Sequence, residues 1–174
     1  YYRAALYYGP ACGTIHTNSP RKQELYAKMI ACYEKFIELF EEAPVERVEI
    51  PFESGKSIPG ILQTVPGVEN APCVLVVPGM DTIKEYMPSP YHNHFRRRGI
   101  ATLSIDGPGQ GESNVRENWV TLDNFERAGS AAIDYLEGRP EVDASRVGLY
   151  GWSMGSYWGP RVAAHDDRLK ACVG

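Results

Sequence analysis

No stretch of this 174-residue sequence holds the roughly 18 consecutive apolar residues that a membrane-crossing helix requires, so a helical span is excluded from its plan. An excess of positive charge is also missing: 18 Lys and Arg face 22 Asp and Glu, a net charge of −4. That balance builds no basic field to draw nucleic acid or anionic lipid, and neither is an expected partner. The one dense basic run, Arg96-Arg97-Arg98 before Gly99, reads as a solvated cap suited to the negative end of a helix. Cysteine is sparse and unpatterned. Cys12, Cys32, Cys73 and Cys172 show no C-x-x-C spacing, which argues against a zinc site or disulfide framework and for buried free thiols in a reducing compartment. A cytoplasmic protein with no metal and no cofactor is expected. No internal repeat, low-complexity segment or signal peptide is visible, and the chain opens at Tyr1 instead of Met; a missing native N-terminus is the expectation.

What is present suits one domain: 43% of residues are apolar and 23% charged, in a chain long enough to bury a core. Residues 1–44 read as a cap-like helical segment. Ser19 offers an N-cap and Pro20 a first helical residue, and Leu25, Met29, Cys32, Phe36 and Phe40 recur at helical spacing, predicting an amphipathic helix that ends near Glu42. Upstream, Tyr1, Tyr2, Leu6, Tyr7 and Tyr8 predict the tail of an earlier helix, packed by its aromatics and broken by Gly9-Pro10. His16, in a loop-like stretch, reads as an exposed polar residue. From Val45 the period changes. Val45–Ile50 and Ile58–Val65 predict an antiparallel strand pair about the Ser54-Gly55-Lys56 turn. Cys73–Val77 and Ile100–Ile105 are continuous apolar runs of doubly buried strands, with a helix ending at Arg98 between them. Helical spacing returns from Trp119 to Leu136, then a strand at Arg146–Tyr150, a helix to about Ala164 and a strand beginning at Leu169. Alternating strands and helices after an antiparallel lead-in mean an α/β fold with a mostly parallel sheet. Residues 45–174 are expected to be the N-terminal part of that core.

Gly151-Trp152-Ser153-Met154-Gly155 fits G-x-S-x-G between a strand and a helix, the pattern of a nucleophile elbow. The sharp turn closes only if the residues two before and two after the serine are small, and Gly151 and Gly155 are. Ser153 is therefore the candidate nucleophile, with the Met154 N–H at the positive end of the following helix as one oxyanion donor. Ligands of such sheets bind beyond the carboxyl ends of the strands. Two further loops leave from those ends, Pro78-Gly79-Met80-Asp81 and Asp106–Ser113. Met80 is placed to supply the second oxyanion N–H, with Asp81 the alternative. Asp81, Glu112 and Trp152 are candidate substrate contacts, although Glu112 could instead bond loop backbone. The glycines of Asp106–Gly111 do not make a dinucleotide site: the order is G-x-G-x-G, Pro108 removes a donor, and Asp106 would repel a pyrophosphate. A serine also needs a base, and in this topology the order is Ser, acid, His. Only His165 follows Ser153, at the far end of the elbow helix and about 15 Å or more away. His92 and His94 read as surface residues, so the acid and base are expected beyond Gly174.

In order and spacing, Pro78–Glu85, Ser104–Glu112 and Gly151–Gly155 resemble the α/β-hydrolases typified by 2,6-dihydroxypseudooxynicotine hydrolase and the fungal hydrolases that shorten polyketide chains. The lead-in, Pro44–Pro51 and Ile58–Leu62, is similar too. The resemblance implies an α/β-hydrolase fold truncated at both ends, Ser153 as nucleophile, and the N–H groups of Met80 and Met154 as oxyanion hole. It implies C–C or ester hydrolysis next to a carbonyl, on an aromatic ketone or acyl compound, with a homodimer left open. A general carboxylesterase or acyl-peptide hydrolase, or an inactive binding module on the same scaffold, are the alternatives.

Overall fold

The computed structural model describes residues 1–15 and 17–174; the expectation for His16 falls outside them. α1 (Tyr2–Gly13) and α2 (Pro20–Leu39) come first. Ser19 caps α2 by accepting the Lys22 N–H, and the buried face is Tyr26, Met29, Tyr33 and Phe36, with Leu25, Cys32 and Phe40 half-buried beside it. α2 stops at Leu39 and does not reach Glu42, because Phe40 leaves helical dihedrals (φ −93°, ψ 105°) and turns its ring onto Phe36 and Tyr91. α1 corrects the sequence reading, since Gly9-Pro10 does not break it. Pro10 lacks the N–H that would bond Leu6, and the Leu6 carbonyl accepts from the Tyr86 hydroxyl instead, at 3.2 Å. A methyl on Gly9 would overlap that same hydroxyl. The pair is thus a socket for Tyr86. Tyr1 and Tyr7 are exposed and do not pack, whereas Tyr2 joins Tyr33, Phe36 and Tyr91 in an aromatic group.

β1 (Val45–Pro51), β2 (Ser57–Gln63), β3 (Ala71–Val77), β4 (Ala101–Ile105), β5 (Val142–Gly151) and β6 (Leu169–Val173) form one sheet in the order β1-β2-β4-β3-β5-β6. β2 runs antiparallel to both β1 and β4, and β4, β3, β5 and β6 are parallel. The fold is therefore α/β with a mostly parallel sheet and an antiparallel lead-in. After the short α3 (Gly111–Val115), α4 (Asn124–Glu137) and α5 (Gly155–His165) bring Phe125, Ala132, Leu136 and Val162 onto Ile50, Leu62, Leu75, Leu103 and Leu149 in the main core. A second cluster sets Tyr26, Met29 and Phe36 against Ile61. Ile61 and Leu62 are neighbours on β2 and point to opposite faces, so α2 packs on the face that α4 and α5 leave open.

Three further expectations are corrected. In place of a helix ending at Arg98 there are two 3₁₀ turns, Pro90–His92 and Arg96–Arg98. Between them the buried Asn93 donates to Gln63 and Thr102 and accepts the Phe95 and Arg96 N–H groups, an alternative to helical bonding. Gly99 then takes the left-handed conformation at φ 74°, with Arg97 and Arg98 exposed but Arg96 half-buried. α4 begins at Asn124, not Trp119: the Asn124 side chain accepts from the Thr121 N–H and donates to the Trp119 carbonyl, holding residues 119–123 as a loop. All four thiols are free, but Cys172, on the edge strand β6, is exposed and Cys32 is half-buried. Among the described residues, no helix is long and apolar enough to cross a membrane.

Candidate active site

The serine elbow is built by close backbone approach. β5 ends at Gly151 and α5 begins at Gly155. A side chain at Gly151 would strike the Gly155 carbonyl, and one at Gly155 would strike the carbonyl of Val77 at the end of β3. The Trp152 N–H donates to that Val77 carbonyl at 3.1 Å, and the Gly155 N–H closes the turn on the Trp152 carbonyl at 2.8 Å. Ser153 is left at φ 54°, in the left-handed region where an L residue stores strain of about 1–3 kcal/mol. Its side chain is exposed.

Pro78-Gly79-Met80-Asp81 leaves β3 directly over it. A Cβ on Gly79 would lie 2.9 Å from Ser153 Cβ and 3.4 Å from its Oγ, so the loop rests on the serine only because position 79 is bare. Among the described residues, the N–H groups of Met80 and Met154 donate to no protein acceptor. Gln110 holds the loop from behind. Its Nε2 donates to the Pro78 carbonyl at 2.7 Å and reaches the Gly79 carbonyl at 3.4 Å, and its Oε1 accepts the Gly107 N–H at 3.1 Å. In a trans peptide the carbonyl and the next N–H point to opposite sides. With both carbonyls turned toward Gln110, the Gly79 and Met80 N–H groups face away from it.

Beneath the two loops lies a charge cluster that sequence reasoning missed. Lys84 Nζ, fully buried, meets Glu85 at 2.7 Å, Glu112 at 2.8 Å and Asp106 at 3.1 Å. Asp106, at the tip of β4, also accepts the N–H groups of Lys84 and Glu112, each at 2.9 Å, and the Tyr26 hydroxyl of α2 at 3.4 Å. Burial works against the Lys84 ammonium, but the carboxylates outweigh it and raise its pKa. Burial pushes Glu85 up to about 7 against the pull of Lys84; its Oε2 has no partner among the described residues. Glu112 resists the same burial effect because Lys84, Arg47 and Arg116 hold its carboxyl low. Its oxygens are taken by those three cations, which corrects the expectation that Glu112 contacts substrate. The signal was a charged dipeptide four residues beyond Met80, in a stretch that reads as solvated loop.

The other candidates fall around the mouth. Trp152, Met80 and Met154 are 50%, 73% and 38% exposed, and Asp81 is exposed beside them. Met80 and Asp81 form one wall of a cavity of about 330 Å³ that Tyr26 and Lys22 of α2, Cys12 of α1, Tyr86 and Gly109 help to line. The cavity adjoins the loop on the serine without including Ser153. The histidines stand apart: His92 lies 3.5 Å from Arg97, His94 is exposed, and His165 ends α5. Among the described residues, no side chain hydrogen-bonds the Ser153 hydroxyl.

A family model described as "Esterase FrsA-like" matches residues 2–174. The chain belongs to this FrsA-like family of α/β-hydrolases. It is 32% identical over 186 residues to the α/β hydrolase xenA of Xenoacremonium sinensis, covering 99% of this chain and 43% of the relative. To the α/β hydrolase gkaG of Penicillium citrinum it is 32% identical over 183 residues, covering 99% and 42%. The crystal structure of 2,6-dihydroxy-pseudo-oxynicotine hydrolase superposes with a TM-score of 0.76 at 28% identity, covering 88% of this chain and 43% of that one. The FrsA-like chain thus spans less than half the length of these relatives.

Proposed function

We propose that this FrsA-like hydrolase cleaves an ester or a C–C bond next to a carbonyl through an acyl-enzyme on Ser153. The observation that carries the reading is Ser153 itself, held at φ 54° between β5 and α5 with Gly79 packed on its side chain. Ser153 Oγ attacks the carbonyl carbon and a general base takes its proton. The oxyanion that forms is held by the N–H groups of Met154 and Met80, which have no other acceptor among the described residues. Collapse expels the leaving group, which takes the proton from the base, and water then hydrolyses the acyl-enzyme by the same steps in reverse. Base and acid are assigned to the part that the longer relatives have and residues 1–174 do not span, since among the described residues no histidine hydrogen-bonds the Ser153 hydroxyl. Trp152 and Asp81 border the substrate's approach.

The substrate class proposed is an aromatic ketone or acyl compound. Tyr26 of α2 and Tyr86, which line the cavity beside the loops, support this, as does the solved relative whose name gives 2,6-dihydroxy-pseudo-oxynicotine as substrate. The test is fluorophosphonate labelling of the intact protein with mass-spectrometric mapping. The adduct should sit on Ser153, and Ser153→Ala should lose labelling together with several orders of magnitude in kcat. Labelling that persists in Ser153→Ala defeats the reading.

A further inference from the structure

The cavity beside the serine loop has a particular chemistry. Gly9, Gly13, Gly109 and Gly111 line it, with open space beside Gly13 where a side chain would stand, and Tyr26 and Tyr86 are among its other lining residues, a lining suited to a planar group. Lys22, in the first turn of α2, brings a cation into this space. Its ammonium has Asn114 Oδ1 at 3.4 Å and, among the described residues, no carboxylate within ion-pair distance. The contrast is with Lys28 and Lys35 on the outer side of the same helix, each of which holds a glutamate at 2.6 Å. Lys22 is half-buried, so its charge faces inward: burial raises the Cys12 thiol and the Lys22 charge opposes that rise. Asp81 stands exposed at the mouth and forms no ion pair with Lys22.

We propose that this cavity receives the part of the substrate remote from the scissile bond, and that Lys22 selects there a planar group carrying a delocalised oxyanion, as in an aryl carboxylate, a phenolate or a 1,3-dicarbonyl enolate. The inference rests on the hydrolase reading above, because the loop that meets Ser153 through Gly79 forms the cavity wall through Met80. A half-buried ammonium without a counter-ion gains a charge-assisted bond from such a ligand and gains little from a neutral one.

Calorimetric titration of the intact protein with benzoate, 4-nitrophenolate and neutral benzamide tests this. Both anions should bind about tenfold or more tighter than benzamide, the size of one charge-assisted contact; their relative affinities separate a carboxylate preference from a phenolate one. Lys22→Gln should abolish the preference and leave benzamide unchanged, and Lys22→Arg should keep it. Neither substitution touches the helix cap, which uses the Lys22 backbone N–H. Equal binding of anion and amide, a preference that survives Lys22→Gln, or no anion binding at millimolar concentration overturns the proposal. Fluorophosphonate labelling of the same samples separates the two ideas. Labelled Ser153 without Lys22-dependent selectivity removes only the anion site, whereas selectivity with unlabelled Ser153 removes the hydrolase reading.

Discussion

At the scale of single residues, Glu85 is a carboxyl whose ionisation the fold opposes. It is buried beside Lys84, Asp106 and Glu112, and burial lifts it from 4.5 to about 7. Between those values the native protein keeps a proton that the unfolded chain has released. Stability should therefore fall as pH rises from about 4.5 to about 7, by about 3 kcal/mol at most. Glu85→Gln should lose that slope, and urea unfolding of both proteins across this range measures it; parallel curves would refute the assignment. Glu49, held down at about 2 by Arg116, acts in the opposite sense and only toward acid, where its stabilisation fades as pH drops below the unfolded value. The elbow at Ser153 was legible in sequence because G-x-S-x-G states a backbone requirement. The Lys84 cluster was not, because nothing in a Lys-Glu dipeptide reveals that Asp106 and Glu112 will be folded over it. Glu112 was misassigned for the same reason.

At the scale of elements, the boundaries that sequence reasoning placed well were those written in periodicity, such as β3, β4 and α5. Those it missed were each set by one polar side chain: Asn93, tied to Gln63 and Thr102, replacing a helix with two turns, and Asn124, bonded back to residues 119 and 121, delaying the start of α4. Gln110 is the comparable residue at the site. It ties the loop after β4 to the loop after β3 through the Pro78 and Gly79 carbonyls, so the direction of the Met80 N–H depends on its carboxamide. On the oxyanion role proposed for Met80, Gln110→Ala should lower kcat about 10- to 100-fold with KM nearly unchanged, the signature of a contact made in the transition state. Gln110→Glu, which sets an acceptor against two carbonyls, should be worse. Steady-state kinetics of the intact enzyme decides it, and a change confined to KM would count against the role.

At the scale of the molecule, the helical segment packs an apolar cluster of its own onto Ile61 on one face of the sheet, while α4 and α5 build the main core on the other. The sequence showed this division in its change of period at Val45. It did not show that the two are also joined through Gly9-Pro10, a pair that reads locally as a helix stop. In the structure the Tyr86 ring fills the space that a Gly9 side chain would need, and its hydroxyl satisfies the carbonyl left over by Pro10. Gly9 and Tyr86 both line the cavity next to the serine loop, so the joint and the proposed substrate space share a wall. In an ordinary helix, replacing glycine by alanine stabilises by about 0.5–1 kcal/mol. Here the added methyl must displace Tyr86 and cost the Leu6 bond, so Gly9→Ala should destabilise the intact protein by about 1 kcal/mol or more and raise KM while sparing kcat. Combined with Tyr86→Ala, which empties the socket, the same substitution should return to its usual stabilising sign, a coupling that a double-mutant cycle on thermal unfolding reads directly. If Gly9→Ala stabilises the protein on its own, Tyr86 does not hold the helical segment to the sheet.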